Sequence, residues 1–240
     1  MKKTVLLTGA SGGIGVEITR FLINKGFKVI GTYYSNEDAL SFIAQEANGS
    51  FFYYKCDLSD FNNINKLMKQ LELDGHYPDI LINNAGISVI GLLQDLTEKD
   101  WNNLWNSNVT SAVGMSKEII PVFLKKGAGK IINISSVWGN CGASCEVAYS
   151  ATKGAINSFT KALAKELAPS SIQVNAISCG IIDTKMNAHL TKEDINALCD
   201  EIPCGRIGTP YDVAKAVFSL IKTSDYLTGQ IITLDGGWTV

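Results

Sequence analysis

The sequence predicts an α/β chain, a doubly wound sheet of seven parallel strands with helices packed on both faces. Seven short apolar runs alternate with segments whose apolar residues recur at helical spacing. The runs are near-continuous in Val, Ile and Leu, the pattern of strands covered on both sides. Each is followed by enough chain for the dozen or more residues that a parallel crossover needs. The composition, 240 residues with 46% hydrophobic and 22 glycines, supplies a large buried sheet within one domain, expected over residues 1–240.

Taken in order, "TVLLTG" is the first strand, and Ile14, Ile18, Phe21 and Leu22 mark the apolar stripe of the helix after it. "FKVIGTYY" is the second strand, with Glu37 and Asp38 expected to open the next helix. "SFFYYKC", "DILINNAG" and "KIINISS" follow as strands three to five. Ile156, Phe159, Leu163 and Leu167 mark a long helix before "IQVNAIS", and "GQIITLDGG" closes the sheet. Between the last two strands, Thr191 and Asp194 form a capping-box pattern ahead of an amphipathic helix.

Several function classes are disfavoured. A formal net charge of −2, with no basic run beyond Lys125-Lys126, gives no nucleic-acid footprint. The apolar run at the start is too brief for a signal-peptide core, so a cytoplasmic protein without a membrane partner is expected. Six scattered cysteines without a CxxC pair imply reduced thiols and no metal site.

In a doubly wound sheet, ligands bind beyond the carboxyl ends of the strands. The first strand runs into "TGASGGIG", where glycines let a backbone approach a phosphate and the following helix offers its positive end. Alone this is a weak signal, because glycines also serve ordinary turns. Asp57 after the third strand, Asn83 to Gly86 after the fourth, and Ser135-Ser136 after the fifth add polar groups along the same edge. In "AYSATKG", Tyr149 and Lys153 are four residues apart and share one helix face.

"TGASGGIG", "NNAG", the step of 13 from Ser136 to Tyr149, and Tyr149-x-x-x-Lys153 together resemble the short-chain dehydrogenase/reductase superfamily, over essentially the whole chain. "KELAPSSIQVNAIS", "IPCGRIGTP" and "LTGQIITLDGG" most resemble its 3-oxoacyl-acyl-carrier-protein reductases. The resemblance implies a Rossmann-like fold and a catalytic set of Asn108, Ser136, Tyr149 and Lys153. It implies dinucleotide contacts from Gly9, Ser11, Gly12, Gly13, Ile14 and Gly15 in the first turn, and from Tyr33, Tyr34 and Ser35 after the second strand. Further contacts would come from Asp57, Leu58, Asn84, Ala85 and Gly86, from Tyr149 and Lys153, and from Gly180, Ile182 and Thr184 after the sixth strand.

The chemistry implied is hydride transfer to a ketone while Tyr149 protonates the developing alkoxide and Ser136 donates a hydrogen bond to the same oxygen. A free tyrosine has a pKa of about 10, and a nearby ammonium is expected to lower it. No acidic residue stands in the second strand's end, whose Thr32, Tyr33, Tyr34, Ser35 and Asn36 are neutral. NADP(H) is therefore expected over NAD(H), although Gly12 supplies no basic clamp. Where relatives carry Pro-Gly beside the nicotinamide, this chain has Cys179-Gly180, which makes the thiol a candidate for oxidation as well as packing.

The substrate is expected to be a small or carrier-bound ketone, foremost a 3-oxoacyl thioester. Residues 185–206 resemble a substrate lid, with Met186, Leu190, Ile195 and Leu198 as a candidate apolar wall. The arginines with which such reductases dock a carrier are replaced by Gly127 and Ser170, leaving Lys125, Lys126 and Lys130 to compensate. "WGNCGASCEVAYSATKGA" also resembles a branch proposed to reduce a ketone on a modified lysine of elongation factor P. The competing class is a non-catalytic dinucleotide-binding sensor or scaffold. The resemblance further implies a homotetramer or homodimer, through the helices holding Trp101-Trp105 and Tyr149-Lys153 and the last strand with Trp238.

Overall fold

The computed structural model describes residues 2–239. Seven parallel strands form its sheet: β1 (Thr4–Leu7), β2 (Lys28–Tyr33), β3 (Phe51–Lys55), β4 (Ile80–Asn83), β5 (Gly129–Ser136), β6 (Ile172–Cys179) and β7 (Ile231–Leu234). Their spatial order is β3-β2-β1-β4-β5-β6-β7. Residues Val5, Leu6 and Leu7 pair with Val29, Ile30 and Gly31 on one side and with Ile80, Leu81 and Ile82 on the other. The chain therefore winds outward from β1 in one direction, returns, and winds outward in the other. Its switch point lies at the carboxyl ends of β1 and β4.

The helices are α1 (Gly13–Asn24), α2 (Asp38–Glu46), α3 (Phe61–Leu73), α4 (Glu98–Trp105), α5 (Ser111–Lys126), α6 (Trp138–Cys141), α7 (Val147–Leu167), α8 (Lys192–Glu201) and α9 (Pro210–Lys222). One core lies between the sheet and α1, α2 and α9, built on Ile18, Leu22, Leu40, Val213 and Val217. The other lies under α3, α5 and α7, built on Ile64, Leu71, Met115, Phe123 and Leu163. The two covered faces account for the continuous apolar strands.

Every predicted strand is present, though β1 and β4 end before the Gly and Asn residues that follow them and turn toward the sheet edge. Asp38 opens α2 as expected, and Glu37 is its N-cap residue. The predicted Thr191–Asp194 capping box forms at α8. A second one, Thr209 with Asp212, starts α9 behind Pro210. Thr209→Ala is expected to cost about 1 kcal/mol of stability by releasing the first-turn donors, seen as a lower urea midpoint with an unchanged slope.

A buried polar layer fixes the register of the strands that reach the catalytic edge. Asn83 Nδ2 donates to Asn133 Oδ1 at 2.8 Å, and Asn133 Nδ2 donates to Thr160 Oγ1 at 2.8 Å. Ser135 Oγ donates to Asn157 Oδ1 at 2.6 Å, and Asn157 Nδ2 to Asn140 Oδ1 at 2.8 Å. Such bonds are directional, so they lock α7 and α6 onto β5 in one alignment where apolar packing alone would tolerate slippage.

Candidate active site

The turn after β1 is shaped by close backbone approach. Gly9 has φ +63°, and a Cβ there would lie 2.9 Å from the Ala85 Cα. At Gly15 a Cβ would lie 2.8 Å from the Ala10 Cα, so only glycine lets α1 start under this turn. Asn84 binds the turn from across the sheet, its Nδ2 donating to the carbonyls of Thr8 and Gly9, each at 3.0 Å. Thr8 Oγ1 accepts from the backbone of Asn84 and Ala85 in return.

The N-terminus of α1 has no side-chain cap and no acidic residue in its first turn. Its free backbone donors and the helix dipole can therefore face an anion, which fits the pyrophosphate of a dinucleotide. Ser11 is half-buried in the turn, Gly12 is the N-cap, and Ile14 lines the central cavity. Thr184 packs over the turn, with its Cγ2 3.1 Å from where a Gly13 Cβ would stand. Asp57 folds onto its own loop, accepting from Ser59 N at 3.0 Å, and Leu58 is buried in the core beneath it.

Beyond β4 and β5 the structure brings Ser136, Tyr149 and Lys153 together in the wall of one cavity, with Asn108 close to Lys153 at Gly86. All four are buried. Asn108 sits in a wider π-type turn, Asn106–Thr110, that interrupts the helical run from α4 to α5, a local irregularity common at functional sites. Its Oδ1 accepts from Ile87 N at 2.8 Å, and its Nδ2 donates to Ile87 O at 2.9 Å and Thr152 Oγ1 at 3.0 Å. Gly86 lies against this pair, since a Cβ there would be 2.9 Å from Asn108 Oδ1 and 3.6 Å from Lys153 Nζ. Lys153 Nζ donates to the Ile134 carbonyl at 3.0 Å and stands 5.6 Å from the centre of the Tyr149 ring.

The electrostatics differ from the sequence expectation in one respect. Tyr149 is not held below its ordinary pKa. Burial pushes its hydroxyl up, a hydrogen bond with Ser136 opposes that shift, and the Glu146 carboxylate adds to it. Burial also lowers Lys153 to about 8. Burial disfavours the charged form of both groups, raising Tyr149 and lowering Lys153. Tyr149 is consequently neutral and holds its proton in the free site. Cys179 is buried, and its thiol is pushed up to about 12 by burial, so it is a packed neutral group and not the reactive thiol considered from the sequence.

At the end of β2, Tyr33 is buried, whereas Tyr34 and Ser35 are exposed. The expectation that this end is free of acid needs correction. Glu37 folds back from the start of α2 and accepts from Tyr33 Oη at 2.7 Å, raising that phenol's pKa to about 12. Gly180 and Ile182 line the cavity with Thr184. Met186 and Leu190 join that wall, but Ile195 and Leu198, on α8, do not line it. Lys126 is tied to the carbonyls of Tyr77 and Pro78 and to Asp79, and Lys130 to Thr223 O and Asp225. Among the three candidate docking lysines, Lys125 alone is without such a bond among the described residues.

Three groups were missed from the sequence. Thr152 clamps Asn108. Glu146 and Trp138 line the cavity beside Tyr149. The helical phase could have found Glu146, since residues 146, 149 and 153 share one face.

Comparison with known proteins gives the family. A family model described as short chain dehydrogenase matches residues 3–195. The uncharacterized oxidoreductase YmfI of Bacillus subtilis is 37% identical, with 99% of each chain covered. The 3-oxoacyl-acyl-carrier-protein reductase FabG of Buchnera aphidicola is 39% identical over 98% of this chain and 97% of its own. A solved structure from Agrobacterium tumefaciens, described as a provisional gluconate dehydrogenase, superposes with a TM-score of 0.92 at 29% identity, covering 99% of this chain and 96% of the other.

Proposed function

This chain belongs to the short chain dehydrogenases, and is thus an NAD(P)-dependent oxidoreductase; on that premise we propose that it uses NADP(H) to reduce a ketone to a secondary alcohol. The reading rests above all on the convergence of Ser136, Tyr149 and Lys153 on one cavity edge beside the glycine turn. A bound nicotinamide supplies the hydride. Tyr149 gives its proton to the substrate oxygen as negative charge develops there, and Ser136 donates a hydrogen bond to the same atom. The Lys153 ammonium, held by the Ile134 carbonyl, stabilises the phenolate left behind. Asn108 ties the backbone at Ile87 to α7 at Thr152.

Neutral Tyr34 and Ser35 support NADP(H) over NAD(H), with Glu37 as the opposing charge. NADPH is expected to have the lower KM. Glu37→Gln is expected to widen the NADPH preference several-fold, about 1 kcal/mol, by removing repulsion of a 2′-phosphate. A variant ratio unchanged or shifted toward NADH would contradict the placement of that charge at the adenosine end.

The FabG relatives support a 3-oxoacyl thioester as substrate class. A second reading, a ketone on a modified lysine of elongation factor P, gains from Lys126 and Lys130, two of the three lysines near the carrier-docking positions, being engaged in internal bonds. NADPH consumption with an acetoacetyl thioester, run beside ketone-bearing elongation factor P, separates the two. We further assign residues 185–206 as a lid, on the position of Met186 and Leu190 in the cavity wall. The six unpaired cysteines fit a reducing cytoplasmic setting, and the described helices include none long and apolar enough to cross a membrane. The stacked Trp101 and Trp105 rings, 5.6 Å apart on α4, support a homodimer or homotetramer contact there.

A further inference from the structure

We propose that Glu146 is a positioning residue of the reduction: through Trp138 it holds the Ser136 hydroxyl so that its proton is left for the substrate oxygen. This rests on the ketone-reductase reading and on Ser136 as the donor in it. Glu146 is the N-cap residue of α7 and lines the same cavity as Ser88, Ser136, Trp138 and Tyr149. Its Oε1 accepts from Trp138 Nε1 at 3.1 Å, and its Oε2 from Ser88 Oγ at 2.7 Å. One carboxylate thus ties together the loop after β4, the start of α6 and the start of α7. Gly91 N donates to the Cys145 carbonyl at 2.8 Å, a second tie between the first and last of these segments.

Trp138 carries this tie to the catalytic serine. Its indole N–H is held by Glu146, while its backbone N–H donates to Ser136 Oγ at 3.2 Å. A hydroxyl has one proton and two acceptor lone pairs. The Trp138 N–H occupies one lone pair of Ser136, which turns the Ser136 proton away from that side.

The aim of that N–H depends on how Trp138 is seated. α6 is a single turn without a side-chain cap, too short for its own helical bonds to hold it firmly. Its far end is fixed by Asn140, which bonds Ser178 and Asn157. At the end next to Ser136, the side-chain hydrogen bond is the one from Trp138 to Glu146, and the ring packs with Leu104, Ala148 and Tyr149 and edge to face on Trp238. A staple that served stability alone could join these loops at any pair of positions. This one lands on the residue whose backbone meets the catalytic hydroxyl.

The test measures kcat and KM for Glu146→Ala, Trp138→Phe, their double variant and Glu146→Gln. It uses NADPH and whichever of the acetoacetyl thioester and ketone-bearing elongation factor P the wild type reduces. Glu146→Ala and Trp138→Phe are each expected to lower kcat about tenfold, the effect of a misaimed donor and not of a missing one, with NADPH affinity unchanged. Because the two residues act in series, the double variant is expected to lose no more than either single one. Glu146→Gln is expected to recover most of the loss, its amide oxygen accepting from the indole and its amide nitrogen donating to Ser88 Oγ. Losses that multiply in the double variant, a raised KM with kcat intact, or a Glu146→Gln enzyme as slow as Glu146→Ala would overturn the role. If Glu146→Ala does not fold, Trp138→Phe decides, and full kcat in it overturns the role. A wild type that reduces neither ketone fails the reductase reading itself and the role with it, whereas wild-type turnover with unaffected variants fails the role alone.

Discussion

Tyr149→Phe is expected to lower kcat/KM for ketone reduction by about a thousandfold, within the range that general acid catalysis contributes. The ring keeps its volume, so the contacts with Leu104 and Ala148 survive and the fold should be unchanged. What disappears is the hydroxyl that delivers the proton. NADPH affinity should change little, because Lys153 is anchored by the Ile134 carbonyl independently of the tyrosine oxygen. A Tyr149→Phe enzyme retaining more than about a tenth of wild-type turnover would remove Tyr149 from the acid role. Loss of NADPH binding in step with turnover would point to a structural collapse instead.

Gly15→Ala is expected to weaken NADPH binding by at least about a hundredfold, about 2.7 kcal/mol, and to lower stability as well. An added Cβ would stand 2.8 Å from the Ala10 Cα and 3.0 Å from the Ala10 carbonyl carbon, all backbone that moves only if the turn itself moves. The neighbouring Gly13→Ala provides the control. Its Cβ would meet the Thr184 side chain at 3.1 Å, which can give way by a few tenths of an ångström. The expected order of NADPH affinity by fluorescence titration is wild type, then Gly13→Ala, then Gly15→Ala. A Gly15→Ala protein binding NADPH as tightly as Gly13→Ala would show that the tight turn is not what shapes the phosphate site.

The doubly wound sheet was legible because periodicity is a local property. Continuous apolar runs such as "KIINI" and "IQVNAI" can only be strands buried on both faces once helices separate them. The Ser136, Tyr149 and Lys153 set was legible because its spacing along β5 and α7 determines which end of the sheet and which helix face the side chains share. What the sequence hid depends on where long side chains reach. Lys126 resembles an available surface cation until its ammonium is found on carbonyls nearly fifty positions earlier in the chain. Glu37 resembles a helix-start residue until its carboxylate is seen on the Tyr33 hydroxyl. The upward shift at Tyr149 likewise comes from burial, which a pair of charges counted along a helix does not reveal. Trp138 and Trp238 lie a hundred residues apart in sequence, and only the closing of β7 beside β6 brings their rings together.

The decisive measurement is a turnover with NADPH deuterated at the transferable position and a panel holding the acetoacetyl thioester and ketone-bearing elongation factor P. If the Ser136, Tyr149 and Lys153 edge is a ketone-reducing site, deuterium appears on the new carbinol carbon of at least one product, and Tyr149→Phe abolishes the transfer. NADPH binding that leaves every ketone untouched and every deuterium on the cofactor would contradict catalysis on these substrates and turn the reading toward a dinucleotide sensor or scaffold.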